Sequence, residues 1–462
     1  MYNAAFVILG ATGDLSRHRL FPAFYQLYTQ KALDNWVIVG AASSALSRQE
    51  FHALIRTTIS IDDEHKWQEF SAHIFYQQLY FEQLEDFNQL NQLVKKQEGL
   101  FNTQGNRLVY LAAAAHFFCV ITRNCGLSGL LKRESSTAGW QRIIYEKPFG
   151  NDLASARSIN ACIQDYFDEK QVYRIDHYLT KELVSNIALM RFTNIIFEPL
   201  WNSHYIEYVS IDLSETIGVR DRGRYYDHYG VLKDVVQNHV LQLLTLIAME
   251  APERLTGDFI RDKKAEVLKS VRAIDGILGQ YEGYHNEKDI AHNSQTPTFA
   301  LLTLHVDTVR WKEVPFYIRA GKKLATKNTA IIIKFRPITC PLKGIQECPS
   351  NYLTMRISPD AIFSLKLNVK PVGASDRVTS VAMEFCHSYL SGPTTQHAYE
   401  ILLKAIMKGE ESVSVRFDEI ELAWRVIEGI EQLQLKQYTY QPGTKGPHYA
   451  ELFAQERGIK WE

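Results

Sequence analysis

The apolar run from Ala5 to Leu9 passes directly into GATGDL, and this junction constrains the fold more than any other stretch. A short strand followed at once by Gly10 and Gly13 permits a tight turn. Backbone N–H groups can then approach a phosphate at the start of the next helix, expected over Leu20–Lys31. A second apolar strand, WVIVG at 36–40, follows that helix at a suitable distance, so the chain opens as a βαβ unit. Gly10, Thr12, Gly13, Asp14 and Leu15 form the turn and are the candidate coenzyme residues. The spacing is a shortened dinucleotide fingerprint without its third glycine, and alone it fits a plain strand–helix turn equally well.

Further strands extend this unit. RLVYLAAA at 107–114 reads as a buried parallel strand, and Trp140–Tyr145 as another, ending in EKPFG. Lys147, beside a proline at the carboxyl end of a strand, places an ammonium in the crevice where open α/β sheets bind ligands. A cis peptide before Pro148 would help to turn it inward. The second half is patterned differently. YVSIDLSET at 208–216 alternates as a half-buried strand, with Glu215 at its end. Thr298–Thr308, Ala330–Arg336, Tyr352–Ser358, Ile362–Val369 and Thr379–Cys386 alternate too, without intervening helices. A chain of 462 residues exceeds the usual single core. We therefore expect an α/β coenzyme domain over 1–176 and an α+β domain over 177–462 with a large, predominantly antiparallel sheet.

A formal net charge of −1 argues against general nucleic-acid binding. The N-terminal apolar run has no basic region before it, and the stretch at 108–121 is too short and too interrupted by His116 to span a membrane. Cys119, Cys125, Cys162, Cys340, Cys348 and Cys386 show no metal-ligand spacing and read as reduced thiols of a cytoplasmic protein.

Chemistry concentrates in YRIDHYLTKE, 173–182. Asp176, His177, Tyr178 and Lys181 offer an acid, an imidazole, a phenol and an ammonium, a mixture suited to holding an anion beside a proton-transfer centre. Downstream, the segment from Tyr225 reads as helical from about Gly230 to the stop at Pro252. Val231, Val235, His239 and Gln242 share one broad face, with Asp234 near its margin. RAGKKLATK supplies Lys322 and Lys327. Each of these also has a plain reading: a charged surface segment, a buried helix histidine, a basic turn.

Taken in order, GATGDL, EKPFG, RIDHYL and the DVVQNH helix resemble the glucose-6-phosphate dehydrogenase family over nearly the whole chain. The resemblance implies a Rossmann-like coenzyme domain, NAD or NADP as coenzyme, a hexose 6-phosphate substrate, and a homodimer or homotetramer. It implies His239 as general base, oriented by Asp176, with Lys147 at the reacting end of the sugar and at the coenzyme. Glu215 and Asp234 would take sugar hydroxyls; His177, Tyr178 and Lys181 would take the phosphate; Lys322 and Lys327 would stand beside phosphate and hydroxyls.

Several positions depart from the family pattern. Ser43 replaces the arginine that commonly pairs with the 2′-phosphate of NADP, which favours NAD, although Arg48 could reach back to that pocket. Arg19 replaces a lysine, Thr180 replaces a glycine, and Ala115 and His116 stand where the family often has prolines. A dehydrogenase of an amino- or deoxy-hexose phosphate, or a non-catalytic sugar-phosphate binder, remains compatible with these changes.

Overall fold

The computed structural model describes residues 1–133, 139–339, 348–373, 378–386 and 398–461. The chain forms two compact units, Met1–Thr180 with Gln396–Phe417, and Lys181–Thr395 with Asp418–Glu462. The first unit thus extends past Asp176 to Thr180 and takes back a later segment, whose described part includes the amphipathic helix Ala398–Lys408.

Among the described residues, the first unit holds a six-stranded sheet: β1 (Tyr2–Leu9), β2 (Leu33–Ala42), β3 (Ile74–Gln78), β4 (Arg107–Leu111), β5 (Gln141–Tyr145) and β6 (Val172–Arg174). All neighbours pair in parallel in the order β3-β2-β1-β4-β5-β6. Such a sheet is covered on both faces, so its central strands are runs of Val, Ile, Leu and Phe rather than alternations. The order reverses between β1 and β4, which opens a crevice at the strands' carboxyl ends.

The helix after β1 begins at Asp14, immediately past Gly13, rather than at Leu20. Residues Ser16–Leu20 form a π-helical turn that leads into the α-helix Phe21–Thr29. Pro22 supplies the reason: a proline ring presses on the carbonyl four residues back, and a widened turn there relieves the clash. The earlier start brings the helix terminus right up to the glycine turn.

Two helices of this unit, Phe118–Leu127 and Leu153–Gln164, are joined by a disulfide between Cys119 and Cys162, whose Cα atoms are 5.8 Å apart. Cys348 is also disulfide-bonded, whereas Cys125 is free and buried. The expectation of reduced thiols is corrected for Cys119, Cys162 and Cys348 and holds for Cys125. Cys119 and Cys162 are 43 positions apart, and only the packing of their helices makes them neighbours.

The second unit holds, among the described residues, a nine-stranded sheet: β7 (Ile206–Ser214), β8 (Val271–Tyr281), β9 (Phe299–Val306), β10 (Pro315–Gly321), β11 (Asn328–Phe335), β12 (Tyr352–Ser358), β13 (Ile362–Val369), β14 (Thr379–Cys386) and β15 (Gln437–Tyr440). The order is β14-β13-β12-β11-β7-β10-β9-β8-β15, antiparallel except for β7 with β10 and β8 with β15. β7 is central and, contrary to the half-buried reading, nearly all of it is buried. Its polar face is covered by the C-terminal residues and satisfied within the sheet. Arg319 donates to both oxygens of Asp212 at 2.9 and 2.7 Å, Asn328 adds a third bond, and Trp461 lies over the guanidinium. A buried charge is tolerated when it is paired and hydrogen-bonded in this way.

The helix Gly223–Val231 ends in a break at Gly230, with φ 58° and ψ −176°, a conformation essentially reserved for glycine. Val231 N–H donates to the Pro297 carbonyl at 2.9 Å, anchoring the turn. Asp227 ties the same loop down, accepting from Ser294 and from Tyr284 and the Ala291 N–H. Desolvation pushes its carboxyl up, but these hydrogen bonds outweigh it and hold the group below the usual carboxylate range.

A depressed carboxylate stabilises the fold above its unfolded pKa of about 3.9 and loses that contribution as pH falls through the folded value. Asp227→Ala should therefore lower the Tm at pH 7 by a few degrees, for a loss of about 1–3 kcal/mol. The gap to wild type should narrow as the pH falls below about 3.9, which a pH series of thermal melts measures. A gap that is constant with pH would remove the charge from this account.

Candidate active site

In the first unit, the candidate coenzyme residues gather at the crevice. Gly10 has φ 89°, and a Cβ there would lie 2.3 Å from the Ala112 carbonyl oxygen, so only glycine lets the β1 and β4 loops approach so closely. Ser16 Oγ donates to the Gly10 carbonyl at 2.9 Å and Gly13 N–H to the same carbonyl at 3.1 Å, bracing the turn. Thr12 Oγ1 is 3.5 Å from Ser44 Oγ. Asp14 forms an exposed ion pair with Arg17 at 2.6 Å, and Leu15 packs against the core. A glycine-lined turn at a helix N-terminus fits a dinucleotide pyrophosphate, whose charge the terminal N–H groups and helix dipole favour.

The adenine-ribose end is defined by hydrogen bonds rather than charge. Ser43 is exposed, and its carbonyl accepts from Gln78 Nε2 at 3.0 Å; Tyr76 OH donates to the Ser44 carbonyl at 2.6 Å. Arg48 does not turn back to this end. It donates to the carbonyls of Ser71, Ala72 and Ile74, and its guanidinium stacks over Phe75 at 4.0 Å. Burial lowers its pKa. His116 is exposed beside Phe117.

Lys147 is half-buried at the end of β5, and its peptide bond to Pro148 is cis. Its neighbour Glu146 carries a feature that the sequence did not single out. Glu146 Oε1 accepts from Tyr110 OH of β4 at 2.5 Å and from Tyr399 OH of the returning helix at 3.3 Å. Desolvation raises the carboxyl's pKa despite these bonds. The segment after β6 is a turn. Asp176 is buried and accepts from Tyr178 N–H at 2.9 Å through Oδ1 and from Leu179 N–H through its carbonyl. His177 and Tyr178 follow with their ring centroids 5.1 Å apart, and Thr180 uses its hydroxyl to cap the His177 carbonyl at 2.8 Å. The added methyl and hydroxyl at position 180 are thus absorbed inside the turn.

The second unit supplies the other candidates. Lys181 precedes the helix Glu182–Thr193. Residues Leu232–Val240 are π-helical, not α-helical as the spacing had implied. In a π-helix, hydrogen bonds join residues five apart, which brings positions i and i+5 nearer to one face than an α-helix would. Asp234 and His239 are such a pair, and both are buried. Tyr225, from the helix before the Gly230 break, donates to Asp234 Oδ1 at 3.0 Å. At the end of β7, Glu215 pairs with Lys322 at 2.5 Å, and the same ammonium lies 5.1 Å from the Tyr226 ring centroid. Lys327 is exposed on the turn between β10 and β11. Tyr225 and Tyr226 were missed because an aromatic pair in a helix reads as packing.

A parallel six-stranded sheet with a tight glycine turn at its crevice, and a second unit that buries a histidine and a carboxylate on one π-helical segment, fit a nicotinamide-dependent dehydrogenase. Residues 7–186 match the family model for the glucose-6-phosphate dehydrogenase NAD binding domain, and residues 188–462 that for its C-terminal domain. The chain is 34% identical to the glucose-6-phosphate 1-dehydrogenase of Bacillus subtilis (strain 168), covering 99% of this chain and 98% of that one. It is 36% identical to that of Aggregatibacter actinomycetemcomitans, covering 99% and 97%. A solved glucose-6-phosphate dehydrogenase in complex with its substrate glucose-6-phosphate superposes with a TM-score of 0.92 at 30% identity, covering 100% and 99%. The chain belongs to the glucose-6-phosphate dehydrogenase family.

With Arg48 committed to three carbonyls, it should contribute to stability and not to coenzyme choice. Arg48→Ala should lower the Tm while leaving the NAD to NADP ratio of kcat/KM within about threefold of wild type. Parallel initial rates with both coenzymes measure this. A tenfold or larger loss confined to NADP would show that the arginine does reach a 2′-phosphate.

Proposed function

We propose that the protein oxidises glucose 6-phosphate at C1 to 6-phosphogluconolactone, with NAD or NADP as the oxidant. The observation that carries this reading is the match of both halves of the chain to one enzyme family, with the motif residues present in order. The readings as a modified-sugar enzyme or a non-catalytic binder are not favoured.

His239 is the general base. A neutral imidazole accepts the C1 hydroxyl proton near pH 7, and Asp176 holds the other ring nitrogen and stabilises the imidazolium that forms. The nicotinamide, when bound, accepts the hydride that leaves C1. Lys147 binds the reacting end of the sugar and the coenzyme's edge. Asp234 and Glu215 accept hydrogen bonds from sugar hydroxyls. His177, Tyr178 and Lys181 hold the phosphate, with Lys322 and Lys327 beside it. The pairing of Lys322 with Glu215 at 2.5 Å supports a shared role.

NAD is favoured over NADP at the adenine ribose, because Ser43 brings no charge to repay desolvation of a 2′-phosphate and Arg48 is engaged elsewhere. The chain is proposed to act as a homodimer or homotetramer in the cytoplasm. Among the described residues, no helix is long and apolar enough to cross a membrane. The Cys119–Cys162 disulfide weighs the other way, since such bonds are rare in reducing compartments.

His239→Asn should lower kcat by about 10²–10⁴-fold, with glucose 6-phosphate binding largely retained. Turnover of the purified variant within about tenfold of wild type would remove His239 from the role of base.

A further inference from the structure

Asp234 is buried on the π-helical face, five positions before His239. A carboxylate that selects between sugar hydroxyls must hold its oxygens in a fixed plane, because a hydrogen bond weakens steeply as it bends. The π-helix fixes the backbone of Asp234 but leaves its side-chain torsions to be set by neighbours. Tyr225 OH supplies that constraint, donating to Oδ1 at 3.0 Å.

Tyr225 is itself held by ring contacts. Its ring stacks on Tyr229, with centroids 4.6 Å apart and planes 22° from parallel, and the Arg222 guanidinium lies 4.4 Å from its centroid. The ring also packs against the cluster of Val219, Tyr226 and Tyr284. The Gly230 break allows the helix carrying Tyr225 to fold back onto the π-helix that carries Asp234. Burial, and then the nearby carboxylate, push the phenol's pKa up, so Tyr225 stays protonated and acts as donor.

We infer that Tyr225 is a positioning residue for sugar recognition, orienting the Asp234 carboxylate toward the substrate's hydroxyls. The inference rests on the reading that Asp234 binds the sugar. It concerns specificity rather than proton transfer. Losing the phenol hydroxyl should loosen the grip on the sugar while leaving the base untouched.

The test uses the full-length enzyme and the variants Tyr225→Phe, Asp234→Asn and the double variant, with KM for glucose 6-phosphate, KM for the coenzyme and kcat measured separately. Phe keeps the ring and its stacking, so a role limited to packing would leave its kinetics at wild type. Tyr225→Phe should raise the sugar-phosphate KM by about 3–10-fold, with kcat and the coenzyme KM within about twofold. In the Asp234→Asn background the same change should add almost nothing, because the two groups act as one unit. A sugar-phosphate KM at wild type in Tyr225→Phe, when Asp234→Asn raises it, overturns the positioning role alone. Full additivity in the double variant overturns it as well. An unchanged sugar-phosphate KM in Asp234→Asn removes Asp234 from the sugar site, and the inference falls with that reading.

Discussion

The i to i+5 hydrogen bonding of Leu232–Val240 is the constraint on which the second unit's chemistry depends. An α-helix through DVVQNH would turn the carboxylate of Asp234 well away from the imidazole of His239. The widened turn brings them nearer to one face instead. The Gly230 break and the Val231–Pro297 backbone bond stand immediately before it and fix where it begins. The placement of Asp234 and His239 on this segment is thus set by backbone geometry before side-chain identity.

The first unit rests on an equally local restriction. Gly10 admits the Ala112 carbonyl where any side chain would collide with it, and this brings the β1 and β4 loops together at the point where the strand order reverses. Lys147 stands on the next strand. The two tyrosines on Glu146, one from β4 and one from the returning helix, brace the residue immediately before it. The return of the chain to this unit therefore places a hydroxyl within reach of the EKP segment, giving a helix that reads as structural a bearing on the site.

Much of this was legible in the sequence. The parallel sheet announced itself through continuous apolar runs, and β12, β13 and β14 through alternation matching their observed limits. The misreadings share a cause: local pattern carries no information about distant partners. The polar face of β7 alternates as if solvated, yet Arg319 and Trp461 arrive from far along the chain to cover it. Arg48 looked able to reach the ribose because nothing in its neighbourhood reveals the carbonyls that claim it. Cys119 and Cys162 looked like thiols because helix packing, not spacing, joins them. The π-helix was invisible because its residues satisfy an α-helical pattern equally well, and only Gly230 before it hints at a break.

The central claim is that the π-helical face presents the base and a hydroxyl-binding carboxylate to one sugar. The most direct measurement is a crystal structure of the protein with glucose 6-phosphate bound. The account predicts a ring nitrogen of His239 within about 2.6–3.2 Å of the C1 hydroxyl, and Asp234 accepting from a hydroxyl of the same sugar. A bound sugar whose C1 hydroxyl lies beyond reach of His239, or whose hydroxyls all bypass Asp234, would contradict it.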